Sequence, residues 1–314
     1  MNNKPDFFIV GAAKAGTTAL QQMLATHPAI YMSPIKEPNY FYNEVAISDL
    51  RSGLQNKLKN ENAEQWIKDG MKGALWNAFL RDEQLYKKLF ENALENQFCG
   101  EASVSYLYST QAAKNIFEYN PNAKIIILLR NPTERAWSHF KMETKMKITT
   151  SNFHNEFNKN KSLAHPLWGR DPIFLSGGKY YEQVKRFLDV FPKEQLLICR
   201  YEDYKNDAVQ TINTILKFIG LNVETDTFDV KNKIANEARK SIVDDILPSG
   251  SLKSSLRKIA QSLRLHSLLK NIFSKKNQRK IPNKVNVLLN EYYLDYVTNL
   301  EKLLQINLSN WKQQ

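Results

Sequence analysis

The sequence predicts an α/β protein with a central parallel sheet flanked by helices, and three observations carry that expectation. Short apolar runs at 7–10, 124–129 and 196–201 lack the polar alternation of a half-exposed strand and read as strands buried on both faces. Segments with helical apolar spacing separate them, the alternation expected of parallel strands joined by helical crossovers. The first run also passes through a turn of small residues directly into a helix, a layout that presents backbone N–H groups and a positive helix end to an anion.

Taken in order, the first strand is Phe7 to Val10, and a helix from Thr17 follows with Leu20, Met23 and Leu24 on one face. His27-Pro28 stops it, and Ile30-Tyr31-Met32 reads as a short strand. Two prolines in the turn from Ser33 to Phe41 argue against regular structure there, which places Glu37 on a constrained loop. The block from Asn43 to Gln97 is polar with helical apolar spacing and is expected to be a helical cover. The segment Gly100 to Tyr106 closes a strand, and a helix covers about 111–119. After the strand ending at Leu129, Asn131-Pro132 opens a helix bearing Arg135, Trp137, Ser138 and His139. Residues 147–176 read as loop, Tyr180 to Phe191 as helix, and Asp207 to Ile219 as a helix capped by Gly220. The tail from Val287 to Leu304 is helical. No internal repeat or low-complexity linker divides the 314 residues, so a single domain is expected.

Two cysteines, Cys99 and Cys199, are too few for a disulfide framework, and Cys199 in its apolar run reads as an inert buried thiol. No apolar run is long enough to span a bilayer, and no N-terminal apolar leader precedes Phe7, so a cytoplasmic location is expected. The net charge of +12 is concentrated: ten basic residues and no acidic ones lie between Ile246 and Asn290, leaving +2 for the rest. That segment also carries Leu252, Leu256, Ile259, Leu263, Leu268, Ile272 and Phe273 at mostly helical spacing. It reads either as a packed helix with a solvated basic face or as a contact for a polyanion or anionic membrane.

The loop between the first strand and helix is Gly11-Ala12-Ala13-Lys14-Ala15-Gly16-Thr17-Thr18. A nucleoside-triphosphate P-loop needs Lys directly after the second Gly and Ser/Thr after that to hold Mg²⁺. Here Thr17 fills the Lys slot and Lys14 is the loop's only cation, so the fold is P-loop-like and the loop a phosphate cradle, without the features of an NTPase. Where such an NTPase places a metal-positioning Asp at the end of a later strand, this chain has Arg130, with Ser138 two helical turns on. Guanidinium and hydroxyl make a second anion site, and no metal is expected. Two phosphate sites on one sheet edge suit a nucleotide phosphorylated at both ends of its ribose.

At these residues the chain resembles the sulfotransferase family, in particular the branch with the heparan sulfate sulfotransferases and their bacterial relatives. The matching segments are Phe8 to Thr18, Lys36-Glu37-Pro38-Asn39-Tyr40-Phe41, Gly100-Glu101-Ala102-Ser103, Ile127 to Ser138 and Gly178-Lys179-Tyr180, with Leu308-Ser309-Asn310-Trp311 similar to the family's closing motif. The resemblance implies 3′-phosphoadenosine 5′-phosphosulfate (PAPS) as donor and adenosine 3′,5′-bisphosphate as product. It implies that Lys14, Ala15, Gly16, Thr17 and Thr18 hold the 5′-phosphosulfate and that Arg130 and Ser138 hold the 3′-phosphate. Lys14 then also stabilises the leaving oxygen, and Glu37 is the base for in-line attack by an acceptor hydroxyl. Apart from that role, Glu37 could simply pair with Lys36; His27 and His139 are lesser base candidates.

The chain also departs from the pattern. Ala102 stands where the heparan branch often has Lys, and the later basic loop survives only loosely as 236–241, with Arg239 and Lys240 as candidates for the 3′-phosphate. Tyr106 and Tyr181 are candidates for stacking on adenine or sugar, or for core packing. The expected acceptor is a hydroxyl of a saccharide or glycolipid, shaped by the cover at 43–98 and 147–176 with Trp66, Trp76 and Trp168; no nucleic-acid partner is expected. Two other classes stay open: a P-loop kinase or NTPase, and a non-catalytic protein that binds polyanions or membranes through 246–290.

Overall fold

The computed structural model describes residues 4–72, 75–221 and 281–312. Its five-stranded sheet has the order β2 (Ile30–Met32), β5 (Phe98–Ala102), β1 (Phe7–Gly11), β6 (Lys124–Leu129), β7 (Leu196–Arg200). Every neighbouring pair is parallel. β1 is the central strand and all five of its residues are buried, because helices cover both faces of the sheet. Each fully buried Phe or Ile of β1 and β6 stabilises the fold by about 1.5–3 kcal/mol. The expected α/β architecture is the one observed.

The connections carry twelve helices among the described residues, of which α1 (Thr17–Leu24) and α7 (Pro132–Lys145) bear on the site most directly. Asn131 starts α7: its Oδ1 accepts from Thr133 N–H at 2.9 Å, and Pro132 fills the first turn, where no N–H is needed. The remaining helices are α2 (Ser52–Asn60), α3 (Ala63–Lys68), α4 (Glu83–Lys88), α5 (Ser105–Tyr108), α6 (Ala112–Tyr119), α8 (Phe153–Lys161), α9 (Tyr180–Leu188), α10 (Tyr201–Asn206), α11 (Ala208–Ile219) and α12 (Asn283–Leu304). α12 packs on α7 and α9. It is pinned by the Tyr293 hydroxyl donating to the Leu175 carbonyl at 2.7 Å and by Thr133 Oγ1 donating to Asn290 Oδ1 at 2.6 Å. Trp311, in the motif near the chain end, is buried beside Tyr180.

Several expectations need correction. The segment 147–176 is not all loop: α8 lies within it, capped by Asn152 and burying Phe153, Glu156, Phe157 and Asn160. Its three asparagines and weak propensity hide a helix that tertiary packing stabilises. The turn at 33–41 contains a two-residue strand, β3 (Ile35–Lys36), which pairs in parallel with β4 (Leu75–Trp76) inside the supposed all-helical cover. β7 is half-buried along its length, consistent with its place at the end of the strand order, and Cys199 is half-buried rather than buried. α9 stops at Leu188, α10 precedes α11, and α12 begins four residues before the expected tail helix. Among the described residues no helix is long and apolar enough to cross a membrane. Arg239, Lys240 and most of the basic segment at 246–290 lie outside the described residues.

Candidate active site

The site grows from the end of β1. The Ala12 N–H bonds the Leu128 carbonyl at 2.7 Å, hooking the loop's stem to β6, and the Ala15 N–H closes a turn on the Ala12 carbonyl. Gly16 caps α1 with φ 95°, a left-handed conformation that favours glycine, and a Cβ there would meet the Tyr201 ring at 3.0 Å. No side chain caps α1, so the N–H groups of its first turn, from Thr17 and Thr18 onward, are free of intrahelical partners and face an anion-sized space. Lys14 sits inside this turn, itself left-handed at φ 68°. Its ammonium contacts Met142 Sδ at 3.6 Å and forms no ion pair among the described residues. Burial first, then the Arg130 and Arg135 charges, holds its pKa below the usual lysine value.

Arg130 follows β6 directly. It donates to the Lys14 carbonyl at 3.3 Å, lies 4.7 Å from the Tyr201 ring centroid and pairs with Glu134 at 2.7 Å. Glu134 is half-exposed, so this pair is worth little and leaves the guanidinium open to exchange for a phosphate. Ser138 lies two turns along α7 and lines the same cleft as Arg130, Lys14, Gly16, Thr17 and Thr18. The cleft encloses about 1230 Å³.

Glu37 lines that cleft as well. Its Oε1 accepts from Lys36 Nζ at 2.6 Å, so the ion pair weighed from the sequence exists, inside the cleft rather than away from it. Glu37 and Asn39 are both left-handed, at φ 64° and 50°, each costing on the order of 1–2 kcal/mol. Asn39 holds this conformation: its Nδ2 donates to the carbonyls of Glu37 (2.8 Å) and Ala78 (2.7 Å), and its Oδ1 accepts from Ser105 at 2.5 Å. The Glu37 N–H bonds the Ala102 carbonyl at the end of β5.

The two histidines are accounted for without base chemistry. His27 is buried at the end of α1, where its Nδ1 accepts from the Ala29 N–H. His139 Nδ1 lies 3.0 Å from Arg135 Nη1, which can only donate, so the ring proton resides on Nε2, 3.4 Å from Glu143 Oε1. Burial, with the Arg135 and Lys14 charges, keeps His139 neutral by holding its pKa well below the usual value. Gly177 makes room for this row: a Cβ there would lie 3.0 Å from Arg135 Nη1.

Residues that the motifs did not single out complete the wall. Glu143, one turn beyond His139, is buried, accepts from the Ile173 N–H at 3.0 Å and has its carboxyl pushed up to about 7 by burial. Its Oε2 has no hydrogen-bond partner among the described residues. Arg51, Lys57, Lys147 and Arg170 line the cleft from the cover, supplying cations that Ala102 does not. Only the i, i+4 spacing of Arg135, His139 and Glu143 in the sequence hinted at this row. Trp168 lines the cleft; Trp66 packs on the core, and Trp76 is 44% exposed. Tyr106 is fully buried and hydrogen-bonded to Glu101, and is therefore core rather than a stacking platform. Tyr181 is half-buried on α9.

A five-stranded parallel α/β sheet, with the Gly11–Thr18 loop on β1 and Arg130 and Ser138 on β6–α7 lining one cleft, makes this a P-loop-like fold. The sulfotransferase domain family matches residues 4–246, and the chain belongs to that family. Human carbohydrate sulfotransferase 15 is 25% identical over 256 residues, covering 69% of this chain and 44% of the relative. Mouse bifunctional heparan sulfate N-deacetylase/N-sulfotransferase 4 is 24% identical over 308 residues, covering 96% of this chain and 30% of the relative. The chain thus spans less than half the length of either. A sulfotransferase from Alicyclobacillus acidocaldarius has a similar structure, with TM-score 0.67, 26% identity and 99% of both chains covered.

Proposed function

We propose that the chain transfers a sulfuryl group from PAPS to a hydroxyl of a saccharide, and that an acidic saccharide fits best. The observation that carries this reading is the meeting of the Lys14–Thr18 loop, Arg130 with Ser138, and Glu37 in one cleft. The residues suit the donor. The uncapped N-terminus of α1 and the Lys14 ammonium, which forms no ion pair among the described residues, accept the 5′-phosphosulfate, and Arg130, exchanging Glu134 for phosphate, takes the 3′-phosphate with Ser138. PAPS supplies an activated sulfuryl group on a good leaving phosphate.

Glu37 takes the proton of the attacking hydroxyl on Oε2 while Lys36 holds Oε1. Lys14 stabilises the charge that gathers on the departing bridging oxygen, and its partly desolvated setting strengthens that interaction. His139 does not compete as base, because Arg135 donates to its Nδ1 and its own proton sits on Nε2. Arg51, Lys57, Lys147 and Arg170 give the acceptor wall a positive field that favours carboxylated or already sulfated sugars. No metal role enters this reading.

The test is incubation with radiolabelled PAPS and a panel of acidic and neutral saccharides, glycolipids and phenols. Transfer to a saccharide with retained activity in EDTA supports the proposal. Nucleotide hydrolysis without transfer, or loss of turnover in EDTA, overturns it.

A further inference from the structure

Glu101, on β5, is a fully buried carboxyl that takes no part in the chemistry above. Three hydroxyls converge on it. Ser103 Oγ donates to Oε1 at 2.6 Å, and the Tyr86 and Tyr106 hydroxyls donate to Oε2 at 2.7 and 2.9 Å. Two of these hydroxyls also accept: the Asn39 N–H bonds Ser103 Oγ at 3.2 Å, and the Phe41 N–H bonds the Tyr106 oxygen at 3.3 Å. Each carboxylate oxygen is therefore one hydroxyl away from a backbone amide in the loop that follows Glu37. Tyr86 completes the set on Oε2 and touches no loop amide with its hydroxyl.

The direction of these bonds is fixed. A backbone N–H only donates, so Ser103 and Tyr106 accept from the loop and turn their own hydrogens toward Glu101. An ionised carboxylate, which only accepts, satisfies all three hydroxyls at once. The left-handed Glu37 and Asn39 need surroundings that over-determine them. Asn39's side chain ties the loop to itself, to Ala78 and to Ser105, and the Glu37 N–H ties it to Ala102, while the two relays add ties at Asn39 and Phe41 that end on Glu101.

We propose that Glu101 is a positioning residue: through Ser103 and Tyr106 it fixes the backbone at 39–41 and with it the placement of Glu37 in the cleft. Burial lifts its carboxyl to about 7, opposed by the three hydroxyls and by Lys36. The titratable groups facing it are Lys36 from β3, Tyr86 from α4, Tyr106 from α5 and Tyr119 from α6. The role of Glu37 as base belongs to the functional proposal above, so the test includes a readout that needs no turnover.

Ser103→Ala and Tyr106→Phe each cut one relay, while Tyr86→Phe removes a bond to the same carboxylate and cuts none. By amide hydrogen exchange on the full chain, Ser103→Ala is expected to speed exchange at Asn39, and Tyr106→Phe at Phe41, by roughly tenfold or more, with Tyr86→Phe leaving both near wild type. Ser103→Thr, which keeps the hydroxyl, should restore slow exchange at Asn39 and covers the case in which an alanine variant folds poorly. With PAPS and the best acceptor from the panel, the relay variants should lose roughly ten- to a hundredfold in kcat. Their affinity for adenosine 3′,5′-bisphosphate should hold, and Tyr86→Phe should keep its kcat. Unchanged exchange in both relay variants, or equal losses in Tyr86→Phe, overturns the positioning role. If no acceptor is sulfated, the functional reading fails and the exchange data alone still decide this one.

Discussion

Lys36 Nζ lies 2.6 Å from Glu37 Oε1, and both side chains line the cleft that holds the donor-type loop. The Lys36 side chain is 5% exposed and that of Glu37 19%, so the pair is a fixture of the wall rather than a chance surface contact. It engages Oε1 alone, and on the proposed reading Oε2 takes the acceptor proton. Glu37→Gln preserves the shape and removes the basicity. Its kcat should fall by about 10²–10⁴-fold, while the affinity for adenosine 3′,5′-bisphosphate by calorimetry stays at the wild-type value.

Lys14 is held beside a methionine sulfur instead of a carboxylate. Lys14→Met keeps the length and apolar stem and deletes the charge. We expect a loss of about 10²–10³-fold in kcat, the range for removing one transition-state donor. A variant that bound donor weakly but turned over normally at saturation would give Lys14 a binding role only.

On the proposed reading, Arg130 and Ser138 make separable contributions to the 3′-phosphate seat. Arg130→Ala should weaken adenosine 3′,5′-bisphosphate far more than adenosine 5′-monophosphate, because only the former has a 3′-phosphate to lose. Ser138→Ala removes one hydrogen bond and should cost about 1.5–3 kcal/mol if that bond is to a charged phosphate oxygen. Calorimetric titration of both nucleotides against both variants checks the assignment, and equal losses for the two nucleotides would move the 3′-phosphate elsewhere.

Glu143 and Glu101 both have folded-state carboxyls raised from 4.5 to about 7 by burial. The folded chain therefore binds more protons than the unfolded chain between those values, and their contribution to stability declines as pH rises through that window. His139 works in the opposite direction: its pKa is lowered from 6.5, so its contribution falls away as pH drops below that value. The clean measurement is a difference. Urea unfolding of wild type and Glu143→Gln at pH 5 and pH 8 should show the variant losing less stability on going to pH 8, by roughly 3 kcal/mol at most.

That the Gly11–Thr18 loop and the Arg130–Ser138 segment share one sheet edge was legible in the sequence. Gly11 to Thr18 and Arg130 to Ser138 are contiguous motifs at the ends of apolar strands, and the strands themselves, Phe7 to Val10 above all, announce burial on both sides. The acceptor side was legible only in outline. Arg51, Lys147 and Arg170 come from separate segments that meet in space without a shared spacing, and a solvated basic residue looks the same in sequence as one facing a cleft. The helix at Phe153–Lys161 was missed because its Asn-rich face resembles a loop until Phe157 and Phe153 are seen to pack inward. The constrained loop at Glu37 was legible, but not the hydroxyls of Ser103 and Tyr106 behind it, since neither a serine just past a strand nor a tyrosine in a one-turn helix declares its partner.

The small β3–β4 pair stands apart from the main sheet, sharing no strand with it, and Lys36 and Asn77 reach the cleft from its margin. On the proposed reading the nucleotide is seated by the main sheet, while the small pair brings Lys36, and Glu37 directly after it, to the cleft. On that reading, exchanging the segment around β4 while keeping Lys36 and Glu37 is expected to alter acceptor preference without rebuilding the nucleotide seat. Diversity of targets can then accumulate around an unchanged chemical core.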